Sequence, residues 1–110
     1  MSSEDSGVAR KQRDRLLFDV PYVAPRSLTE ERIAAVWMDV LDVDRVGLDD
    51  NFFELGGDSL LATRVAARLR DTFDVDIPLR SFFDAPTIAE LASSVSAATS
   101  ITAALETDDL

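Results

Sequence analysis

The sequence predicts an all-α domain: a small four-helix bundle with a long first loop and a short third helix. Three observations predict it. Two capping signatures, Ser27 with Glu30 and Thr87 with Glu90, each stand just before an apolar run. Those runs repeat with the 3.6-residue period of a helix. No stretch alternates with period two for long enough to build a sheet.

The elements follow in order. Met1 to Val20 has no sustained apolar period. It holds the basic cluster Arg10, Lys11, Arg13 and Arg15, then the patch Leu16-Leu17-Phe18. Pro21 and Pro25 bracket Tyr22-Val23-Ala24, which reads as an extended strap. Residues 1–21 are therefore expected to be a flexible tail and 22–97 the folded domain. Residues 98–110, rich in Ala, Ser and Thr with Glu106, Asp108 and Asp109, are expected to be a flexible acidic tail. Ser27 opens a first helix over Leu28–Leu41, with Ile33, Val36, Trp37, Val40 and Leu41 on one apolar stripe. A loop from Asp42 to Asp58 follows, marked by Gly47, Gly56 and Gly57. Asp58 fits the N-cap of a second helix over Ser59–Thr72. Pro78 fits the first turn of a short third helix ending near Phe83. Ile88, Leu91, Ala92 and Val95 form the stripe of the fourth.

Composition excludes several function classes. The 110 residues include no Cys and no His. That removes disulfides, Cys/His zinc sites and any Ser-His-Asp unit, whose general base would be missing. No run approaches the roughly 18 apolar residues that span a membrane, and the polar N-terminus lacks a signal-peptide core. The expected compartment is the cytoplasm. The net charge is −10, with a sequence pI near 4.2. Such a surface repels phosphate backbones and anionic membranes, so neither nucleic acid nor membrane is an expected partner. The N-terminal basic cluster reads as solvated. The charge is uneven: residues 27–58, which lead to Ser59, hold nine acidic side chains and two basic ones.

The second helix can be phased at about 100° per residue. With Leu60 at 0°, Leu61, Val65, Leu69, Ala62 and Ala66 fall between roughly 100° and 240°, a single core-facing stripe. Leu60 lies opposite it, on the solvent face beside Ser59.

Three site patterns fail on their residues. Asp42-Val-Asp44-Arg-Val46-Gly47 resembles the start of a calcium loop, but position five is Val46 and position twelve is Phe53, so the shell cannot close. Gly56-Gly57-Asp58-Ser59 lacks the Lys and the Gly spacing of a phosphate-binding loop. It is not a G-x-S-x-G elbow either, and no histidine could activate the serine. Local chemistry alone leaves Ser59 with two readings. It is a tolerable first-turn residue, or an exposed hydroxyl awaiting an outside enzyme, with the helix N-terminus favouring an attached phosphate.

The longer segment Asn51-Phe-Phe-Glu-Leu-Gly-Gly-Asp-Ser-Leu-Leu-Ala62 closely resembles the attachment motif of peptidyl carrier proteins, the thiolation domains of nonribosomal peptide synthesis. The flanks Tyr22-Val-Ala-Pro-Arg26, Glu30-Glu31, Trp37, Val46-Gly47 and Leu79-Arg-Ser-Phe-Phe-Asp-Ala-Pro-Thr87 resemble family positions in family order. The likeness covers about residues 22–95. It implies that Ser59, with Gly57 and Asp58 beside it, receives 4′-phosphopantetheine from coenzyme A through a magnesium-dependent phosphopantetheinyl transferase. The arm's thiol would carry an aminoacyl or peptidyl group as a thioester. An adenylation enzyme would load it, and condensation or tailoring enzymes would use it. Leu60, Arg64 and Phe82 are the expected docking residues. The chain is expected to be a monomeric carrier, not an enzyme.

Asp58 stands where many peptidyl carriers have His. Asp at that place also resembles acyl carriers of fatty-acid and polyketide pathways, which leaves the downstream partner open. An acyl carrier and a non-catalytic helical adaptor are the rival readings. Lys11 to Leu17 resembles the linker that follows an adenylation domain. A free-standing carrier derived from a larger synthetase fits, and so does an excised segment.

Overall fold

The computed structural model describes residues 10–97. Its helices are α1 (Arg13–Leu16), α2 (Leu28–Leu41), α3 (Ser59–Phe73), α4 (Arg80–Asp84) and α5, helical over 88–97. Among these residues the only strand-like pairing is a single bridge between Lys11 and Val43. No helix among them is long and apolar enough to cross a membrane. The C-terminal segment 98–110 and residues 1–9 lie outside the described residues.

Local signals set the two long helices. Ser27 Oγ accepts from the Glu30 N–H at 3.1 Å, and Glu30 Oε1 accepts from the Ser27 N–H at 3.0 Å, closing the capping box of α2. The Arg26 and Ser27 N–H groups hold the Glu30 carboxyl below the usual carboxylate range. Both α2 and α3 end on an aspartate in the left-handed region, Asp42 at φ 59° and Asp74 at φ 57°. Asp tolerates that region better than most residues, and its N–H closes the last turn.

The apolar stripes meet as the phases require. Ile33, Val36, Trp37 and Leu41 of α2 pack with Ala62, Val65 and Leu69 of α3, and with Phe82, Ile88, Leu91 and Val95. Phe52, in the loop between α2 and α3, sits at the centre. Its ring meets Trp37, Phe53 and Phe82 edge-on at centroid distances of 5.0, 5.4 and 5.4 Å. Its N–H donates to the Pro86 carbonyl at 2.8 Å, and the Ala89 N–H donates to Leu48 O at 3.2 Å. The long loop is thus tied to the segment that carries α4 and α5.

Residues 10–21, part of the segment expected to be a flexible tail, pack on the bundle. Arg13 is 2% exposed and Asp50 is 1% exposed. Arg13 Nε donates to Asp50 Oδ2 at 2.7 Å, and Nη2 donates to Oδ1 at 2.6 Å. Nη2 also reaches Val20 O at 2.8 Å, and the Arg13 N–H donates to Asp44 Oδ1 at 2.8 Å. The hydrogen bond with Asp50 raises the Arg13 pKa above its ordinary value, against the opposing effect of burial. Lys11 pairs its backbone with Asp42 and Asp44 on either side of Val43. Tyr22 lies under two guanidinium groups, those of Arg45 at 3.9 Å and Arg13 at 5.4 Å. The four-residue α1 has no side-chain cap and no apolar period, so it depends on these tertiary bonds together with the burial of Leu17 in the core.

The same bonds use the carboxylates of the calcium-like segment. Asp44 accepts from the Arg13 backbone, and Asp42 lies 3.8 Å from Arg10. A second difference is the start of α4. The Pro78 carbonyl accepts from the Ser81 N–H in a turn, and the helix proper begins at Arg80.

Candidate functional site

Ser59 is the first residue of α3, and its position is set by the residues that precede it. Ahead of it, Gly57 is pressed onto the core. A Cβ at Gly57 would overlap the Phe52 ring and come within 2.8 Å of the Phe52 carbonyl. The Gly57 N–H donates to that carbonyl at 3.1 Å. Gly56 adopts φ +101°, a conformation that side chains rarely take. The two glycines therefore have different reasons: one turns the chain, the other lets it touch a buried ring. Directly before Ser59, Asp58 is extended and caps α3. Its Oδ1 accepts from the Leu61 N–H at 2.9 Å. The cap carboxylate is also favourably placed at the positive end of the helix.

The serine hydroxyl itself is exposed and makes no hydrogen bond among the described residues. Its carbonyl, by contrast, accepts from Thr63 Oγ1 at 2.9 Å within α3. An exposed hydroxyl on a rigid helix start can accept a substituent without breaking any contact of the fold. Among the described residues no group of three or more Asp and Glu side chains is arranged to hold a metal ion. The site offers one nucleophilic oxygen, with no general base hydrogen-bonded to it among the described residues.

The sequence profile described as the phosphopantetheine attachment site matches residues 31–95. The chain is 58% identical over 76 residues to one of the linear gramicidin synthase proteins of Brevibacillus parabrevis, covering 69% of this chain and 2% of that protein. The peptidyl carrier protein solved in complex with the phosphopantetheine transferase Sfp and coenzyme A is 42% identical, with TM-score 0.68. That likeness covers 69% of this chain and 99% of the other. The chain belongs to the phosphopantetheine-attachment family, in its peptidyl carrier branch. McyG A-PCP complexed with phenylalanyl-adenylate is also similar, at 44% identity and TM-score 0.65, over 67% of this chain and 12% of that one. The carrier thus spans about 2% of the length of the gramicidin synthase protein it matches.

Around the carrier's serine, two of the three expected docking residues are accessible. Leu60 is 63% exposed, where its helical phase puts it. Arg64, one turn further along α3, is exposed. Phe82 is a correction. It is 0% exposed and packs edge-on against Phe52, so it cannot meet a partner. Its neighbour Phe83 is the surface residue, 53% exposed and stacked on Phe53 at 5.2 Å with an interplanar angle of 19°. Leu79, at the start of α4, is also exposed. The Phe82-Phe83 pair is visible in the sequence. A five-residue helix has too few turns to show which ring faces inward.

Proposed function

We propose that Ser59 is the point at which the carrier receives 4′-phosphopantetheine from coenzyme A, and that the chain presents an aminoacyl or peptidyl group in nonribosomal peptide synthesis. The observation that carries this reading is the exposed, unbonded Ser59 hydroxyl at a helix start fixed by Phe52, Gly57 and Asp58. In the attachment step the Ser59 oxygen forms a bond to the pantetheine-bearing phosphorus of coenzyme A. The bridging P–O bond breaks, adenosine 3′,5′-bisphosphate leaves, and the serine proton passes to a base of the transferase. When bound, the group supplies the thiol that this cysteine-free chain lacks, so that an acyl group can be held as a thioester.

The proposed partners are a magnesium-dependent phosphopantetheinyl transferase, an adenylation enzyme that supplies an aminoacyl adenylate, and condensation or tailoring enzymes. We place the carrier in the cytoplasm, where coenzyme A and ATP are available to those partners. We further propose that it acts as a monomer within this set.

Incubation with coenzyme A, magnesium and a promiscuous transferase tests the attachment. The wild-type chain gains the mass of one arm. Ser59→Ala gains none, while its melt stays within about 0.5 kcal/mol of wild type, because an exposed first-turn serine contributes little packing. An alanine variant that still takes up the arm would rule out Ser59 as the acceptor.

We propose Leu60, Arg64 and, in place of Phe82, Phe83 as the docking residues. Leu60→Asp leaves no cavity, since the side chain already faces solvent. It removes an apolar contact beside the serine and adds a charge that a partner must desolvate. The expected loss is about 1–2 kcal/mol of partner binding, roughly five- to thirty-fold in kcat/KM for attachment or loading. Circular dichroism should be unchanged. Full activity with every partner tried would remove Leu60 from the docking face.

A further inference from the structure

The N-terminal segment brings a cation to the attachment turn from outside the long loop. Lys11 is fixed at its backbone. Its N–H donates to Asp42 O at 2.9 Å, and its carbonyl accepts from the Asp44 N–H at 2.8 Å. Two residues on, Arg13 is locked to buried Asp50. From this anchored start the Lys11 side chain extends over Gly56. A Cβ built on Gly56 would lie 3.2 Å from Lys11 Nζ, the only neighbour within contact distance there among the described residues. Gly56 is three residues from Ser59, a chain length of at most roughly 10–11 Å.

Arg10, Arg13 and Arg45 each hold a carboxylate, whereas Lys11, like Arg15, makes no ion pair among the described residues, so its ammonium is available to an anion. Its side chain is exposed and lines an open groove with Arg10, Gln12, Arg15 and Leu16. A phosphodiester on Ser59 would stand beside the Asp58 carboxylate, on a chain of net charge −10. The repulsion between these two anionic groups, which the helix N-terminus offsets in part, is lowered further by a nearby cation.

We propose that Lys11 is a positioning residue for the phosphodiester that joins the arm to Ser59, drawing it toward the Gly56 turn. This rests on the reading of Ser59 as the attachment point. The ammonium is a flexible point charge on a long stem, suited to following a phosphate that is itself on a rotatable side chain. Its attraction is partly screened, so it falls as salt rises.

The test uses full-length holo protein in four forms: wild type, Lys11→Gln, Lys11→Arg and Arg15→Gln. Intact mass comes first. A wild-type chain that gains no arm, or gains it elsewhere than Ser59, overturns the attachment reading and this inference with it. The phosphorus NMR signal of the single phosphodiester is then followed from about 20 mM to about 500 mM salt, where the Debye length shortens several-fold. The wild-type signal should move as salt rises. Lys11→Gln should lose that movement and begin at the high-salt position. Lys11→Arg should restore it, and Arg15→Gln should behave as wild type. A Lys11→Gln signal with the wild-type shift and salt response overturns the role of Lys11 alone, with Ser59 attachment intact.

Discussion

Arg13→Ala is expected to destabilise the domain by about 3–5 kcal/mol, because it leaves the Asp50 carboxylate buried without its countercharge. Asp50 would keep only the Gly47 N–H, which donates to its Oδ2 at 2.7 Å. The carbonyl of Val20 would lose its donor as well. Arg13→Lys should recover little. A lysine presents one point of charge, whereas the site uses a planar fork with Nε on one oxygen and Nη2 on the other. Removing residues 1–21 deletes the same partner and should cost a comparable amount. Urea melts of the full chain, the two substitutions and the truncated chain provide the measurement. A truncated chain as stable as the full one would mean that the ion pair contributes nothing net, and that the domain does begin at residue 22.

Trp37→Ala is expected to cost about 3–5 kcal/mol through the cavity it opens under Phe52. Trp37 is fully buried, and its ring meets Phe52 edge-on at 5.0 Å. A small domain has only about 5–15 kcal/mol in total, so this loss approaches global unfolding at moderate temperature. Phe52 also holds Gly57 in place, so the cavity should loosen the attachment turn along with the core. Trp37→Phe is the informative companion. The indole Nε1 is buried and meets no acceptor among the described residues. Replacing it removes an unsatisfied donor while keeping most of the ring, which should offset part of the lost packing. Thermal melts of both variants decide this. A Trp37→Ala melt within error of wild type would contradict the packing of Trp37 on Phe52.

Much of the site follows from short-range chemistry, and such chemistry is legible in a sequence. Ser27 and Glu30 are three residues apart, and their reciprocal hydrogen bonds need no distant partner. Asp58 caps α3 through an N–H three residues on. Helical period alone places Leu60 outside and Val65 and Leu69 inside, because the angle between them is fixed once α3 forms. The attachment motif is contiguous from Asn51 to Ala62, so family resemblance could be read without any knowledge of the fold.

The tertiary structure decided what depends on separation in the chain or on the rotation of a short element. Arg13 and Asp50 are 37 residues apart, and neither carries a local signal that it will be buried. A basic cluster in a segment without apolar period reads as solvated until a buried carboxylate is found to meet it. With the burial of Leu17 and the backbone bonds of Lys11, the same contact holds this segment on the bundle, where Lys11 lies at the Gly56 turn. Phe82 and Phe83 differ only in which one α4 turns toward Phe52, and five residues give no period from which to tell. The sequence by itself determined the helices, their inward faces and the serine at the start of α3, because capping and periodicity act within a few residues. Only the assembled core determined what residues 10–21 pack against, which phenylalanine reaches the surface and which charges are paired, because those depend on what each side chain meets across the fold.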